Sequence, residues 1–243
     1  MRVRAVKIAV LADIHANFAA LEQVLADIRG EGIRQIVLLG DYVGYYFEPR
    51  AVIEALSEFD CIGVQGNHDR MALEARENPL ALEKYRPRYG SGLDAVFEQF
   101  GSAEWDWLAS HPVKREVEIG PHTVLLAHGS PQDADAYIYP DSPEERFAEA
   151  RRGFHGDAIW LGHTHWPFLR SGTPSFLNPG SVGQPRDIGG LASWAIVHAD
   201  TGATAFRRTE FPVEVTLDQC RRRDPQLPRL GEALTRKRLW QAA

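Results

Sequence analysis

The chain has 243 residues, 44% hydrophobic and 25% charged, which suits a globular protein with a substantial core. Its net charge of −6 hides an asymmetry, because from Arg221 onward seven Lys/Arg face two acids, a local +5 that leaves −11 on the rest. A body that acidic is a poor general binder of phosphate backbones, and no apolar run nears the roughly 18 residues a membrane helix needs.

In chain order, "VKIAVLAD" is β-branched and almost wholly apolar, as a strand covered on both faces should be. Arginines ahead of this run imitate a secretion signal, but the run is short and ends in Asp13 and His15, so a buried strand is expected. From Asn17 to Arg29, Phe18, Leu21, Val24, Leu25 and Ile28 follow helical spacing, and Gly30 supplies a stop. "RQIVLLGD" is a second strand, Pro49 opens a helix to about Glu58, and "CIGVQGN" is a third strand. This βαβαβ order predicts a largely parallel sheet with covering helices.

The second half differs. "REVEIG" alternates strictly and Gly120-Pro121 turns it into "HTVLLAH", which predicts a hairpin. "DAIWLGH", "PSFLN", "SWAIVHA" and "ATAFRRTEF" read as closely spaced strands, interrupted by a charged surface helix over Pro143 to Arg152. The expected architecture is α/β, one domain over residues 1–220 with two packed sheets and helices outside. The basic segment 221–243, with Leu227, Leu230 and Leu234 interspersed, is expected to be a partly packed helix. Two distant cysteines, Cys61 and Cys220, exclude a disulfide scaffold or Cys-rich zinc module and suit the cytoplasm.

Polar clusters fall at the carboxyl ends of strands, where ligands bind in parallel α/β sheets. "ADIH" gives Asp13 and His15, "LGD" gives Asp41, and "GNHD" gives Asn67, His68 and Asp69. "LAHGSP" gives His128, and "LGHTHWP" gives His163 and His165. One such residue is usually a cap or turn residue. Five of the nine histidines at strand ends are more than chance placement supplies. Carboxylate, imidazole and amide without thiolate suit Mn²⁺, Fe or Zn²⁺. The donors exceed the needs of one ion, so two ions sharing a carboxylate is the economical arrangement, with Asp41 as the natural bridge. Ions about 3.5–4 Å apart can hold a hydroxide and clamp the oxygens of an in-line displacement at phosphorus.

The blocks Asp13-Ile14-His15, Gly40-Asp41, Gly66 to Asp69, His128-Gly129 and Gly162 to His165 together resemble the calcineurin-like metallophosphoesterase superfamily. "GDYVGY" and "NPGSVGQPRD" are similar to its small single-domain bacterial and archaeal branch. The resemblance implies a four-layer α/β/β/α sandwich and two divalent ions, Mn²⁺ favoured. It assigns Asp13, His15, His165 and Asp41 to one ion, and Asn67, His128, His163 and again Asp41 to the other. His68 would protonate or stabilise the leaving oxygen, and Asp69 would orient and charge the His68 imidazole. The chain departs from the family at Gln65, where relatives often carry a basic residue, and at Tyr46 and Phe47, expected to make the pocket rim bulkier.

The expected activity is hydrolysis of phosphoester or phosphoanhydride bonds. Branch relatives that cleave dinucleoside polyphosphates, together with Tyr45, Tyr46, Tyr137 and Tyr139, point to a nucleotide-containing substrate with Arg186 on a second phosphate. These tyrosines could equally pack their loops. A phosphomonoesterase is the alternative, and a non-catalytic scaffold the rival from another class; the complete ligand set argues against the scaffold. A nuclease would want a basic groove, and only the tail is basic. His111, His122, His155 and His198 read as packing or surface residues, and Ser181 as part of a tight loop rather than a nucleophile. No membrane partner is expected, and nothing in the sequence fixes the oligomeric state, so a homo-oligomer stays open.

Overall fold

The computed structural model describes residues 7–237. Strand periodicity builds its layers. In β1 (Lys7–Leu11) and the residue after it, Ala9 and Leu11 join one apolar cluster, while Ile8, Val10 and Ala12 join another. β2 (Gln35–Leu38) and the following Leu39 divide in the same way, with Ile36 and Leu38 on one face and Val37 and Leu39 on the other. A strand that is apolar at every position can only be satisfied by cover on both sides.

The first face is covered by α1 (Phe18–Gly30), capped by the Asn17 side chain, and by α2 (Pro49–Leu56) with proline in its first turn. β3 (Asp60–Gly63) pairs parallel to β2. Residues 67–109 then form α3 (Asn67–Glu77), α4 (Ala81–Tyr89), α5 (Gly92–Gln99) and α6 (Ser102–Ala109), which add Ala72, Tyr85, Leu93, Val96 and Leu108 to the same layer.

β4 (Lys114–Ile119) and β5 (His122–Ala127) form the expected antiparallel hairpin. α7 (Glu144–Ala150), β6 (Ala158–Trp160), β7 (Phe168–Arg170) and β8 (Ser175–Asn178) follow. β9 (Leu191–His198) and β10 (Thr204–Glu210) return to the first sheet, and α8 (Val213–Arg223) and α9 (Arg229–Thr235) close the described chain. The described strands make two mixed five-stranded sheets, ordered β10-β9-β1-β2-β3 and β4-β5-β6-β8-β7. Val124, Leu126, Ala158 and Trp160 meet the first sheet between the layers, while Leu125, Ala127 and Ile159 face outward under Phe147 and Ala150 of α7. The result is the four-layer α/β/β/α sandwich.

Several local expectations change. The charged helix at 143–152 shortens to α7, and its Phe147 is fully buried, so it is the fourth layer rather than a surface feature. β7 is only three residues long and gives too little pattern to register in the sequence. Asn67, His68 and Asp69 open α3 instead of trailing a strand. The domain boundary expected after residue 220 falls inside α8, and Leu227, Leu230 and Leu234 lie in the main core cluster. Val6 of the first expected strand and residues 238–243 of the basic segment lie outside the described residues. Among the described residues no helix is long and apolar enough to cross a membrane.

Candidate metal centre and active site

The parallel strands of both sheets point their carboxyl ends to one edge of the sandwich, where the backbone bends sharply. Asp13, His15, Asp41, Tyr45, His163 and His165 all take positive φ, between 52° and 68°. A left-handed non-glycine residue costs on the order of 1 kcal/mol or more, and such strain gathers at functional sites where surrounding structure enforces it. Here the enforcement is a lattice of backbone hydrogen bonds between loops: Asp13 N–H to Gly40 O (3.0 Å), His15 N–H to Asp41 O (2.9 Å) and Gly162 N–H to His128 O (2.8 Å). Gly183 N–H reaches Asp13 O (3.0 Å), and the Ser181 hydroxyl also donates to Asp13 O (2.7 Å). Ser181 is thus a buried loop fastener.

Two groups of ligand atoms result. In the first, His15 Nε2 lies 3.1 Å from His165 Nε2 and 3.9 Å from Asp13 Oδ1, while His165 Nε2 lies 3.4 Å from that oxygen. In the second, His128 Nε2 lies 3.1 Å from Asn67 Oδ1 and 3.2 Å from His163 Nδ1. Asp41 Oδ2 stands between them, 3.6 Å from His15 Nε2 and 3.3 Å from His128 Nε2. All seven side chains are buried.

Their outward nitrogens are anchored. Nδ1 of His15, His128 and His165 faces the carbonyls of Val43 (3.3 Å), Leu39 (2.7 Å) and Gln184 (2.6 Å). An N–H donated to each carbonyl leaves the Nε2 lone pair pointing inward, the arrangement that metal-binding imidazoles use. Nε2 of His163 is buried with no hydrogen-bond partner among the described residues. Buried lone pairs that converge this closely repel unless a cation sits among them, so the donor set fits divalent metal. Among the described residues, three such Asp/His groups occur: Asp13–His15–His165, Asp41–His128–His163, and His15–Asp41–His68.

The electrostatics agree. Burial pushes the Asp13 carboxyl up to about 8, relieved in part by His128. Burial also works against ionising Asp41, yet His128 and His68 beside it hold its carboxyl well below the usual range. Burial disfavours the His128 cation, but Asp41 and Asp13 carry it up to about 9. The cluster draws positive charge to its centre.

The sequence profile of the calcineurin-like phosphoesterase superfamily domain matches residues 6–202. The chain belongs to this superfamily. An uncharacterized protein of Methanocaldococcus jannaschii is 32% identical over 228 residues, 85% of this chain and 88% of that protein. The crystal structure of a metallophosphoesterase from Sphaerobacter thermophilus is 29% identical, with a TM-score of 0.76 over 95% of this chain and 100% of the other. A hypothetical protein from Pyrococcus horikoshii OT3 has the same fold, with a TM-score of 0.83 at 24% identity, covering 94% of this chain and 97% of that one. The protein is therefore a metallophosphoesterase, a hydrolase whose family implies divalent metal ions.

A cavity of about 140 Å³ opens onto the groups able to hold metal, lined by Asp41, Asn67, His68, His163 and His165 and walled by Tyr45, Arg88, Tyr89, Tyr137 and Arg186. His68 stands on its floor, with ring centroids 4.5 Å from Tyr45 and 4.6 Å from Tyr89. Burial disfavours the charged imidazole and lowers His68 to about 4. Its Nδ1 has no hydrogen-bond partner among the described residues and packs against Gly44, where an added Cβ would lie 2.3 Å from that nitrogen.

This arrangement corrects the role expected of Asp69. Its carboxylate accepts the backbone N–H groups of Asp41 (2.8 Å), Gly66 (2.8 Å), Tyr42 (2.9 Å) and Val43 (3.3 Å), and makes no hydrogen bond to the His68 ring. At the third position of α3 it ties the helix start to the loop after β2. Asp41 Oδ1 reciprocates by accepting His68 N–H (2.8 Å). Gly66 is required because a Cβ there would lie 2.1 Å from Asp41 Oδ1.

Tyr46 and Phe47 are also corrected: both are buried in the core, so they do not form the rim. Gln65 is buried and turned to the Leu108 carbonyl (3.3 Å), away from the cavity. Tyr45, Tyr137 and Arg186 reach the cavity, and Tyr139 stacks behind Tyr137 with the ring planes 12° apart. Arg88 and Tyr89 belong to no motif or strand end and escape the sequence pattern; Gly44 was visible only as the second glycine of "GDYVGY".

Proposed function

We propose that the enzyme works with two divalent ions, one among Asp13, His15, His165 and Asp41 and the other among Asn67, His128, His163 and Asp41, on a nucleotide-containing phosphodiester or phosphoanhydride. The observation that carries the two-ion reading is Asp41 Oδ2, placed within 3.6 Å of a histidine nitrogen from each group. When bound, such ions supply Lewis acidity to the phosphoryl group and activate water for attack at phosphorus.

The chain's own residues do the rest. The inward Nε2 lone pairs, fixed by backbone carbonyls, hold the centre rigid. Tyr45, Tyr89 and Gly44 immobilise the His68 ring, leaving an Nε2–H of the neutral ring to hydrogen-bond and stabilise the leaving oxygen. Arg186 offers a planar fork to a non-bridging oxygen or a second phosphate. A 140 Å³ cavity accommodates a phosphate group better than a whole nucleotide, so the base would lie at the mouth, where Tyr137 is exposed. Mn²⁺ is our choice of ion from the imidazole and oxygen donors. The two free cysteines suit a cytoplasmic setting.

The test is metal analysis followed by kcat/KM on dinucleoside polyphosphates, nucleotide phosphodiesters and small phosphomonoesters with Mn²⁺, Fe²⁺ or Zn²⁺. Two equivalents of metal and a preference for nucleotide substrates are expected. A preference for base-free monoesters would overturn the substrate class, and a single equivalent in the active enzyme would overturn the paired centre.

A further inference from the structure

The cavity wall that carries Arg88 and Tyr89 is held by chain beyond the matched domain, which ends at residue 202. α4 ends at Tyr89, and the chain leaves it through Gly90, whose φ of +76° calls for glycine. α8, α9 and the link between them close around this turn. Asp224, buried, accepts the Ser91 N–H (2.8 Å) and hydroxyl (3.1 Å) on Oδ2. Arg229 Nη2 donates to the carbonyls of Pro87 and Arg88, both at 2.8 Å. Arg223 makes a bidentate pair with Glu98 of α5 (2.7 and 2.9 Å). The fit is close: a Cβ on Gly90 would lie 2.5 Å from Asp224 Oδ2 and 2.9 Å from Leu230.

These contacts answer a need of the helix itself. The last carbonyls of α4 have no partner within the helix, and a cation at that end also meets the negative pole of its dipole. Arg229 fills both roles from the far end of the chain. What it fixes is the backbone carrying Arg88, whose guanidinium makes no ion pair among the described residues. Arg88 lines the cavity opposite no acid other than the centre's own Asp41, and its charge is felt at His68. Resting over the Tyr89 ring at 5.2 Å and with no carboxylate partner among the described residues, this guanidinium beside a phosphate-cleaving centre is a ready anion contact.

We propose that Arg88 binds the substrate's phosphate together with Arg186, and that Arg229 and Asp224 are positioning residues through which the C-terminal helices set that contact. The proposal rests on the cavity being where phosphate is cleaved and is independent of what the phosphate carries. It gives the C-terminal basic residues a task that needs neither a partner nor a nucleic acid.

The experiment measures KM and kcat for bis(p-nitrophenyl) phosphate and the inhibition constant of inorganic phosphate in the metal-loaded full chain. Variants are Arg88→Ala, Arg229→Ala, Arg229→Lys, Asp224→Asn and the Arg88→Ala/Arg229→Ala double. Loss of one charged hydrogen bond predicts that Arg88→Ala raises KM and the phosphate inhibition constant about tenfold, with kcat within about threefold. Arg229→Ala should raise both constants to a lesser degree and add nothing in the Arg88→Ala background, since it acts through Arg88. Arg229→Lys should restore part of the loss. If Arg229→Ala does not fold, Asp224→Asn carries the same expectation. Additive effects in the double variant, or a fall in kcat with both constants unmoved, would overturn the proposal. Should wild type fail to cleave the diester, calorimetry of inorganic phosphate on wild type and Arg88→Ala decides it. Equal affinity then rejects the role of Arg88, while the failed cleavage counts separately against the diesterase reading.

Discussion

His15 and His165 stand 150 positions apart in the chain, yet their Nε2 atoms face each other across 3.1 Å. Each ring is turned inward by a carbonyl behind it, Val43 for His15 and Gln184 for His165. Two buried lone pairs so placed are unfavourable without a cation between them, so metal and fold should be linked. We predict that chelation abolishes activity and lowers the thermal midpoint, and that restoring Mn²⁺ at 100 times its Kd returns about 2.7 kcal/mol. An unchanged midpoint on metal removal would contradict the linkage.

Asp41 should be the least replaceable ligand. Asp41→Asn keeps the side-chain volume and the acceptor for His68 N–H but removes the charge shared by His15 and His128. The expected outcome is loss of activity and of at least one metal equivalent by elemental analysis. Full metal content would remove Asp41 from the bridging position.

His68 lies close enough to His15 and Asp41 to be a ligand, yet its ring is packed among tyrosines at the cavity. We predict that His68→Asn retains both ions and loses about 10²–10³ in kcat, the range for removing one positioned hydrogen-bond donor to a developing oxyanion. Loss of metal in this variant would make His68 a ligand instead.

Asp69 gives a different signature. Replacing its carboxylate with an amide leaves buried backbone N–H groups of Asp41, Tyr42, Val43 and Gly66 competing for fewer acceptor sites. Each unsatisfied group costs about 1–3 kcal/mol. Asp69→Asn should therefore appear first as a lowered denaturation midpoint, with activity falling because Asp41 shifts. A variant of unchanged stability but altered pH profile would restore the role of orienting His68.

Arg186 is predicted to discriminate among substrates. Arg186→Ala should weaken polyphosphates more than simple diesters, read as a larger rise in KM for the former. An equal effect on both classes would confine Arg186 to the reacting phosphate.

Much of this protein is written in local pattern. The apolar runs around Ile8–Leu11 and Ile36–Leu39 determine strands covered on both faces, because successive side chains alternate and every position is apolar. The polar blocks after those strands determine which residues meet, since parallel strands must all end at one edge. Local pattern could not decide what each residue touches there. The "GNHD" block makes His68 and Asp69 sequence neighbours, but the first turn of α3 aims one at the cavity and the other at the backbone of the loop after β2. Tyr45 and Tyr46 are adjacent too, and the bend at Tyr45, with φ of 60°, sends one to the cavity and the other into the core. Arg88, Tyr89 and Arg229 lie in no motif at all. Their roles come from contacts as much as 142 positions apart, and such contacts are set by how layers stack, which the spacing of residues along one element does not encode.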